Sequence, residues 1–398
     1  MSVMSPRRSA VPSEVLGADE RRLVHEFVDE QIRPIAAELD QSERFPRELY
    51  LEMAKIGLFG TTVPARLGGA GATPLDYLFV MESLSYGYAS VADQCGLIEI
   101  VGSLLAAFGT DEQHERYLRP LLFYGRTCAY ALTEAGAGSD LGSITTRAVR
   151  DRDGWVLTGE KIYIHNAPVA DFAAVLAVTD PDKGKRGGIS VFLVDLDLPG
   201  VSRAYQEHKM GQRASQVGGL VFDEVRLPAD ALLGEEGRAF GYMMEVLAKG
   251  RLGIAGLALG ISRAALAAAV AQAGDRSQFG APIGSNQAIA FPLADAATEL
   301  RAGVALAAEA ARALGSGSED AATLCSMAKL LASEGAVRHA DVAVQVFGGS
   351  GYIRGYEVER LYRDARITRI YEGTSEMQRL IISRALLPRD SDRRGERR

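Results

Sequence analysis

The segment AVRDRDGWVLTGEKIYIHNA, residues 148–167, decides how the rest of the chain is read. Its two arms are rich in β-forming residues and enclose an Asp-Gly pair, the pattern of a hairpin. Strand character continues beyond it: AAVLAVTD and ISVFLVDLD are short apolar runs, and GGLVFDEVRLP alternates with a period of two. On either side of this zone the periodicity becomes helical. Upstream, RRLVHEFVDEQIRPIAAEL, ELYLEMAKIGLFG and the long stretch 74–109 are separated by Gly and Pro breaks such as ARLGGAGATP. Downstream run AFGYMMEVLAKGRLGIAGLALGISRAALAAAVAQ, SNQAIAFPLADAATELRAGVALAAEAARAL, DAATLCSMAKLLASEGAVRHADVAVQVFG and a terminal helix. The chain is therefore expected to be mostly α with a middle β domain. Its divisions are a helical domain over 13–126, the β domain over 127–235, helices over 236–388 and a polar tail over 389–398. This order departs from the βαβ rhythm of a doubly wound sheet, and no strand leads into a G-x-G-x-x-G that opens a helix. A nicotinamide-type Rossmann fold is not expected.

With 398 residues, 47% of them apolar and 24% charged, the chain can bury a large core in two or three domains. A net charge of -7 argues against a nucleic-acid surface, and the terminal RDSDRRGERR mixes both signs without an interleaved aromatic. Three cysteines without a CxxC give neither a disulfide framework nor a thiolate metal site, which points to the reducing cytoplasm. The five histidines carry no metal-ligand spacing. The start, MSVMSPRRSAVPSEV, lacks an apolar core of signal-peptide length. The longest apolar run, GIAGLALGISRAALAAAVAQAG, is interrupted by Arg263 and reads as a buried bundle helix, so no membrane span is expected.

Two short segments carry candidate chemistry. In YALTEAGAGSD, residues 130–140, Gly136, Ala137 and Gly138 keep bulk away, so backbone N–H groups can approach a flat or anionic ligand. Thr133 and Ser139 add hydroxyl donors. In RITRIYEGTSEMQRLII, residues 366–382, Ser375 and Gln378 fit a capping box, and Gly373 lets the chain turn sharply into the helix. Glu372 then projects from the turn. Taken alone, such an acid also suits the helix macrodipole and a solvated position.

Further marks appear in a fixed order: RLGGAG, FGTDEQHERYL, YALTEAGAGSD, GEKIYIHNA, KMGQRASQVGGLVFDEVRLP, DRSQFGAPIGSNQAIAFPLAD, QVFGGSGYIRGYEVERLYRDARI and IYEGTSEMQR. Through them the chain, from about residue 15 to about residue 388, resembles the acyl-CoA dehydrogenase family of flavoproteins. The resemblance implies an N-terminal helical domain, a β-barrel-like middle domain and a C-terminal four-helix bundle. It further implies non-covalent FAD and a homo-oligomer, a tetramer built from dimers. The flavin ring would be met by Tyr130, Leu132, Thr133, Gly138, Ser139, Tyr163 and His165. Its adenosine and pyrophosphate end would lie against a neighbouring subunit, at Arg276, Phe279, Gln287 and Gln345 through Gly348 and Gly349. Thr374 to Glu376 complete that site. Arg276 suits the role physically, because a planar, permanently charged fork matches a diphosphate.

The same resemblance makes Glu372 the base that takes the α proton of an acyl thioester while flavin N5 takes the β hydride. Its backbone N–H and a ribityl hydroxyl would hold the thioester carbonyl. Some branches place the base on the long helix instead, at the position of Gly250, where this chain offers no carboxylate. Arg251 and Ser139 become candidates near the thioester or its pantetheine arm.

Two residues depart from the pattern. His165 stands where the family usually has Thr or Ser near flavin N5, and reads either as a neutral hydrogen-bonding substitute or as a tuner of the flavin. Glu99 lies inside the apolar run GLIEIVGSLL, where a carboxylate is costly unless paired or solvated. It is expected at a pocket rim or beside an Arg, or else it meets a polar substrate group. The expected activity is oxidation of an acyl-CoA to the trans-2-enoyl thioester, with electron-transferring flavoprotein as acceptor. A carrier-protein thioester substrate and a flavin oxidase or monooxygenase are the alternatives, while a DNA-associated relative would need a basic extension absent here.

Overall fold

The computed structural model describes residues 9–387, and the polar tail expected over 389–398 lies outside them. Seven helices occupy the N-terminal part: α1 (Ala18–Phe27), α2 (Ala36–Ser42), α3 (Arg47–Lys55), α4 (Pro74–Gly87), α5 (Ala89–Phe108), α6 (Asp111–Gln113) and α7 (Arg119–Phe123). Helix α4 starts on a complete capping box, with Thr73 and Asp76 each accepting the other's backbone N–H and Pro74 in the first turn. The Asp76 carboxylate also accepts from the N–H groups of Glu14 and Leu16, which fastens the start of the chain to this helix. Helices α4 and α5 are buried around almost their whole circumference, which is why their sequences lack a polar stripe.

The β zone forms one sheet of β1 (Cys128–Ala131), β2 (Arg147–Asp151), β3 (Gly154–His165), β4 (Phe172–Val178), β5 (Ile189–Asp195), β6 (Val201–Gln206), β7 (Val217–Pro228) and β8 (Leu232–Leu233). Its order is β6-β7-β3-β2-β4-β5-β8, and β1 adds parallel to β4. The hairpin expected at the Asp-Gly pair is β2 and β3, but its turn residues are Arg152 and Asp153, since Gly154 already pairs with Asp151. Glycine is needed there for close approach: a Cβ at Gly154 would collide with the Leu227 carbonyl of β7. Trp155 of β3 and Phe192 of β5 have two strands, β2 and β4, between them in the sheet order, yet their rings meet edge to face 5.1 Å between centroids. The sheet thus curls over its own apolar core, which gives the barrel-like form.

The chain then becomes helical again: α8 (Ala239–Asp275), a small hairpin β9 (Ser277–Gln278) and β10 (Ala281–Pro282), α9 (Gln287–Ser316), α10 (Ala321–Phe347), α11 (Glu357–Arg366) and α12 (Ser375–Leu386). Helices α8, α9 and α10 pack against one another, α11 and α12 lie against α10, and α8 also packs on α4 and α5. Arg263, the charge interrupting the apolar run, is buried and donates to Glu82 of α4. Helix α5 and helix α8 are long and apolar enough to cross a membrane, and both are mostly buried inside the fold. Helix α11 is additional to the stretches read from periodicity: its exposed-looking charges are engaged, Arg363 pairing with Asp40 and with Glu359.

Candidate active site

The loop after β1 is fastened to β3 by a buried ion pair. Glu134 accepts from Lys161 Nζ (2.8 Å), Thr145 N (2.6 Å), Thr145 Oγ1 (2.7 Å) and Thr146 N (3.0 Å). Burial alone would raise this carboxyl, but Lys161 and the threonine donors hold it down to about 2. Lys161 is buried more completely, and burial outweighs Glu134 to bring its ammonium down to about 8. Lys161 Nζ also donates to the Leu132 carbonyl at 3.0 Å, and Ile162 N to the Thr133 carbonyl at 2.9 Å. The expected flavin residues Leu132, Thr133 and Tyr163 are therefore held side by side. On the same loop, Gly136 and Gly138 face open space, since nothing lies within 4 Å of a Cβ built on either. Tyr163 is 64% exposed and sits at an irregularity in the β3–β7 register. An open glycine cradle beside an exposed aromatic fits the flat, partly anionic cofactor that the resemblance implies.

His165 points from β3 toward α5. Its Nε2 lies 2.9 Å from Ser215 Oγ and its Nδ1 3.3 Å from Asp93 Oδ2. Burial lowers its pKa, Asp93 pulls the other way and Lys209 adds to the fall, so the ring is neutral at neutral pH. The geometry favours the neutral hydrogen-bonding reading.

The turn before α12 is built from two left-handed residues, Glu372 (φ 52°) and Gly373 (φ 87°). For a glutamate this conformation costs about 1–2 kcal/mol. The neighbours that hold it are clear: Gln378 Nε2 donates to the carbonyls of Glu372 (3.1 Å) and Gly373 (2.8 Å), and Lys329 Nζ of α10 to that of Gly373 (2.8 Å). The expected capping box is displaced by one residue. Thr374 is the cap, its Oγ1 accepting from Met377 N at 3.2 Å, while Ser375 Oγ is buried without a partner. With Thr374 as the cap the third helical residue is Met377, so Gln378 lies one position too far along to be the box partner, and its NH2 donates to the turn carbonyls instead.

Glu372 Oε2 is buried and has no hydrogen-bond partner. Burial pushes this carboxyl above the usual carboxylate range; Arg251 pulls it back, Asp93 adds to the rise and Lys329 opposes it. Tyr130, whose buried hydroxyl is also unpartnered, is raised by burial and by the Glu372 charge, which places the end of β1 against the same turn. A Cβ at Gly250 would lie 2.7 Å from Glu372 Oε2 and 3.1 Å from Ile100 Cδ1. The two positions at which the resemblance implies a base are thus neighbours in space, and glycine at one makes room for the carboxylate at the other. Arg251 is buried with Nε unpartnered, burial lowering its pKa and Glu372 opposing the fall. Ser139 stays exposed on its loop and makes no hydrogen bond to this turn among the described residues.

Glu99 is fully buried, so the expectation of a rim position or an Arg partner is corrected. Its Oε1 accepts from Thr62 N at 3.1 Å and from Thr62 Oγ1, and lies 3.7 Å from Lys249 Nζ of α8. Its Oε2 has no partner. Lys249 in turn donates to Ser103 Oγ at 2.8 Å.

The residues expected at the adenosine end lie elsewhere. Arg276 ends α8, Phe279 tips the β9–β10 hairpin with its ring fully exposed, Gln287 opens α9, and Gln345, Gly348 and Gly349 close α10. All are exposed, and none hydrogen-bonds to the Tyr130 loop among the described residues. Thr374 and Glu376 stand at the α12 start, Glu376 exposed. Sequence reasoning missed Asp93, Lys329 and the true role of Gln378. A lone Lys within the apolar stretch SMAKLLASEG was a usable signal for Lys329, whereas nothing local marked Asp93.

Comparison with known proteins agrees with this layout. Residues 19–123, 129–225 and 237–387 match, in order, the N-terminal, middle and C-terminal domains of acyl-CoA dehydrogenase. An acyl-CoA dehydrogenase of Bacillus subtilis (strain 168) is 43% identical over 372 residues, covering 92% of this chain and 97% of that one. The caffeyl-CoA reductase-Etf complex subunit CarC of Acetobacterium woodii is 42% identical over 370 residues, covering 92% and 97%. The structure of butyryl-CoA dehydrogenase from Megasphaera elsdenii superposes with a TM-score of 0.90 at 37% identity, over 95% of this chain and 100% of that one. Three consecutive domain matches, relatives of this identity and the shared fold mean that the chain belongs to the acyl-CoA dehydrogenase family and is an oxidoreductase.

Proposed function

We propose that the protein oxidises an acyl-CoA to its trans-2-enoyl thioester, with Glu372 taking the α proton. The observation that carries this reading is the buried, unpartnered Glu372 Oε2 on a left-handed turn, facing the space left by Gly250. A carboxylate without donors in a dry site is a stronger base than one in water, and its raised pKa suits proton abstraction near neutral pH. The Glu372 N–H makes no hydrogen bond among the described residues, so it is free to donate to a thioester carbonyl and acidify the α carbon. Arg251 keeps a positive charge beside the base.

Bound FAD would supply the acceptor for the β hydride. Tyr130, Leu132, Thr133, Gly138, Ser139, Tyr163 and His165 would hold its ring. The exposed set Arg276, Phe279, Gln287, Gln345, Gly348 and Gly349 would take its other end from a neighbouring copy, with Thr374 to Glu376 beside it, which supports a homo-oligomer. Electron-transferring flavoprotein is the proposed acceptor, supported by the relative named as part of an Etf complex.

An anaerobic screen of CoA and carrier-protein thioesters against the FAD-loaded protein tests this reading through loss of flavin absorbance. Short acyl-CoA should bleach the wild type and fail to bleach Glu372→Gln. Bleaching of the variant at the wild-type rate would remove Glu372 as base. A preference for carrier-protein thioesters, or rapid reoxidation in air, would instead establish one of the alternative activities.

A further inference from the structure

Buried Glu99 and Ser103, with half-buried Thr62 and Lys249, form a polar cluster that proton abstraction at the α carbon does not use. Its position relative to the base can be read from two glycines of α8. A Cβ at Gly250 would press on Glu372 Oε2, and one at Gly253 would overlap the Tyr77 hydroxyl. These glycines share one helix face and are separated by about 4.5 Å along the axis. The Tyr77 hydroxyl therefore stands about one helical step along α8 from the Glu372 carboxylate. On the opposing helix α5, Gly96 faces the same hydroxyl, with 3.6 Å between it and a built Cβ, and Ile100 lines the Gly250 gap. Glu99 lies between them in sequence, three residues after Gly96 and on its face of the helix.

Both groups are incomplete. Tyr77 and Glu99 are each 0% exposed, and neither the Tyr77 hydroxyl nor Glu99 Oε2 has a partner. A buried acceptor without a donor costs about 1–3 kcal/mol, and most buried polar groups are satisfied. The missing donor need not carry charge, because Lys249 already stands 3.7 Å from the other carboxylate oxygen.

Building on the proposed dehydrogenase reading, we infer that the acyl pocket ends in a hydroxyl-recognising floor: Glu99 Oε2 accepts a hydrogen bond from a hydroxyl on the γ or δ carbon of the acyl group, and the Tyr77 hydroxyl completes its coordination. Hydroxylated short acyl thioesters are then the preferred substrate class.

The test uses the FAD-loaded protein with butyryl-, γ-hydroxybutyryl-, δ-hydroxyvaleryl- and γ-aminobutyryl-CoA, reading anaerobic flavin bleaching. Binding of the enoyl products of the butyryl and γ-hydroxybutyryl thioesters is measured in parallel by calorimetry, which needs no turnover. A hydroxylated thioester should exceed butyryl-CoA in kcat/KM, and its enoyl product should bind more tightly. In Glu99→Gln the two Thr62 donors fix the amide oxygen and turn the NH2 toward the pocket, so both preferences should fall by ~10-fold or more. Tyr77→Phe should weaken them in the same direction, and it decides the matter if Glu99→Gln does not fold. Equal or better use of butyryl-CoA with an unchanged ranking in the variants would overturn the inference, as would a preference for the ammonium-bearing thioester. If no thioester bleaches the flavin, the dehydrogenase reading fails while the binding comparison still decides the pocket.

Discussion

Two glutamates with buried carboxylate oxygens, one on the glycine loop after β1 and one on the turn before α12, behave in opposite ways. Glu134 receives hydrogen bonds from Lys161, from the backbone N–H and hydroxyl of Thr145, and from Thr146 N, and is held down to about 2. Glu372 has a buried oxygen with no donor and is raised above the usual carboxylate range. Burial pushes both upward, and only at Glu134 do the converging donors outweigh it. One residue type thus serves as a fixed anion that holds a loop and as a carboxylate left without donors, as the proposed base requires.

The sharpest way to break this comparison is at the base. Glu372→Gln should slow anaerobic flavin reduction by about 10³-fold while flavin binding and the melting temperature stay near wild type. A comparable loss of stability instead would make Glu372 a second structural acid. At the fixed anion the expected effect is on stability. Lys161→Met strands a buried carboxylate and should cost ~3–5 kcal/mol in denaturant unfolding, and adding Glu134→Gln should restore part of it. An additive double variant would show that the pair is not coupled.

The pH dependences should also diverge. Glu134 has a folded pKa of about 2, below its ordinary value of about 4.3, so its stabilising contribution is complete above that ordinary value. It is lost as pH falls toward the folded pKa, and unfolding measured against pH should show the drop in that acidic window. Glu372 must be ionised to act, and its pKa is raised, so flavin reduction should climb with pH along a limb above the ordinary carboxylate range. Lys329→Met removes a cation that opposes the rise and the donor to the Gly373 carbonyl, and should move that limb upward by on the order of one unit. The smallest effect is expected at His165, already neutral and held between Ser215 and Asp93. His165→Thr should leave the pH profile of flavin reduction superimposable on wild type across neutral pH, and a displaced profile would give the histidine a tuning role.

Much of the architecture was readable because period changes report burial geometry directly. The alternation in GGLVFDEVRLP and the all-round apolar character of α8 each leave a single way to bury their residues. The glycine loop and the YEGT turn were equally readable as local constraints. Where local rules tied, they misled by one position: Thr374 and Ser375 both favour a helix start, and in the fold it is Thr374 that accepts from Met377 N, while the Gln378 NH2 goes to the turn carbonyls. Helix α11 was hidden by charges whose partner Asp40 lies far back in the chain. Glu99 stood out as misplaced, but its Lys249 neighbour could not be chosen by inspection.

The sequence by itself determined the order of helical and β zones, the loop that can approach a flat ligand, and the turn that carries Glu372. These follow from spacing and backbone preference, which act between residues a few positions apart. Only the tertiary structure decided which carboxylate is a satisfied anion and which is left without a donor. Ionisation depends on donors and dielectric in three dimensions, and here α5, α8, α10 and β3 bring Asp93, Arg251, Lys329 and Lys161 to their carboxylates from distant parts of the chain.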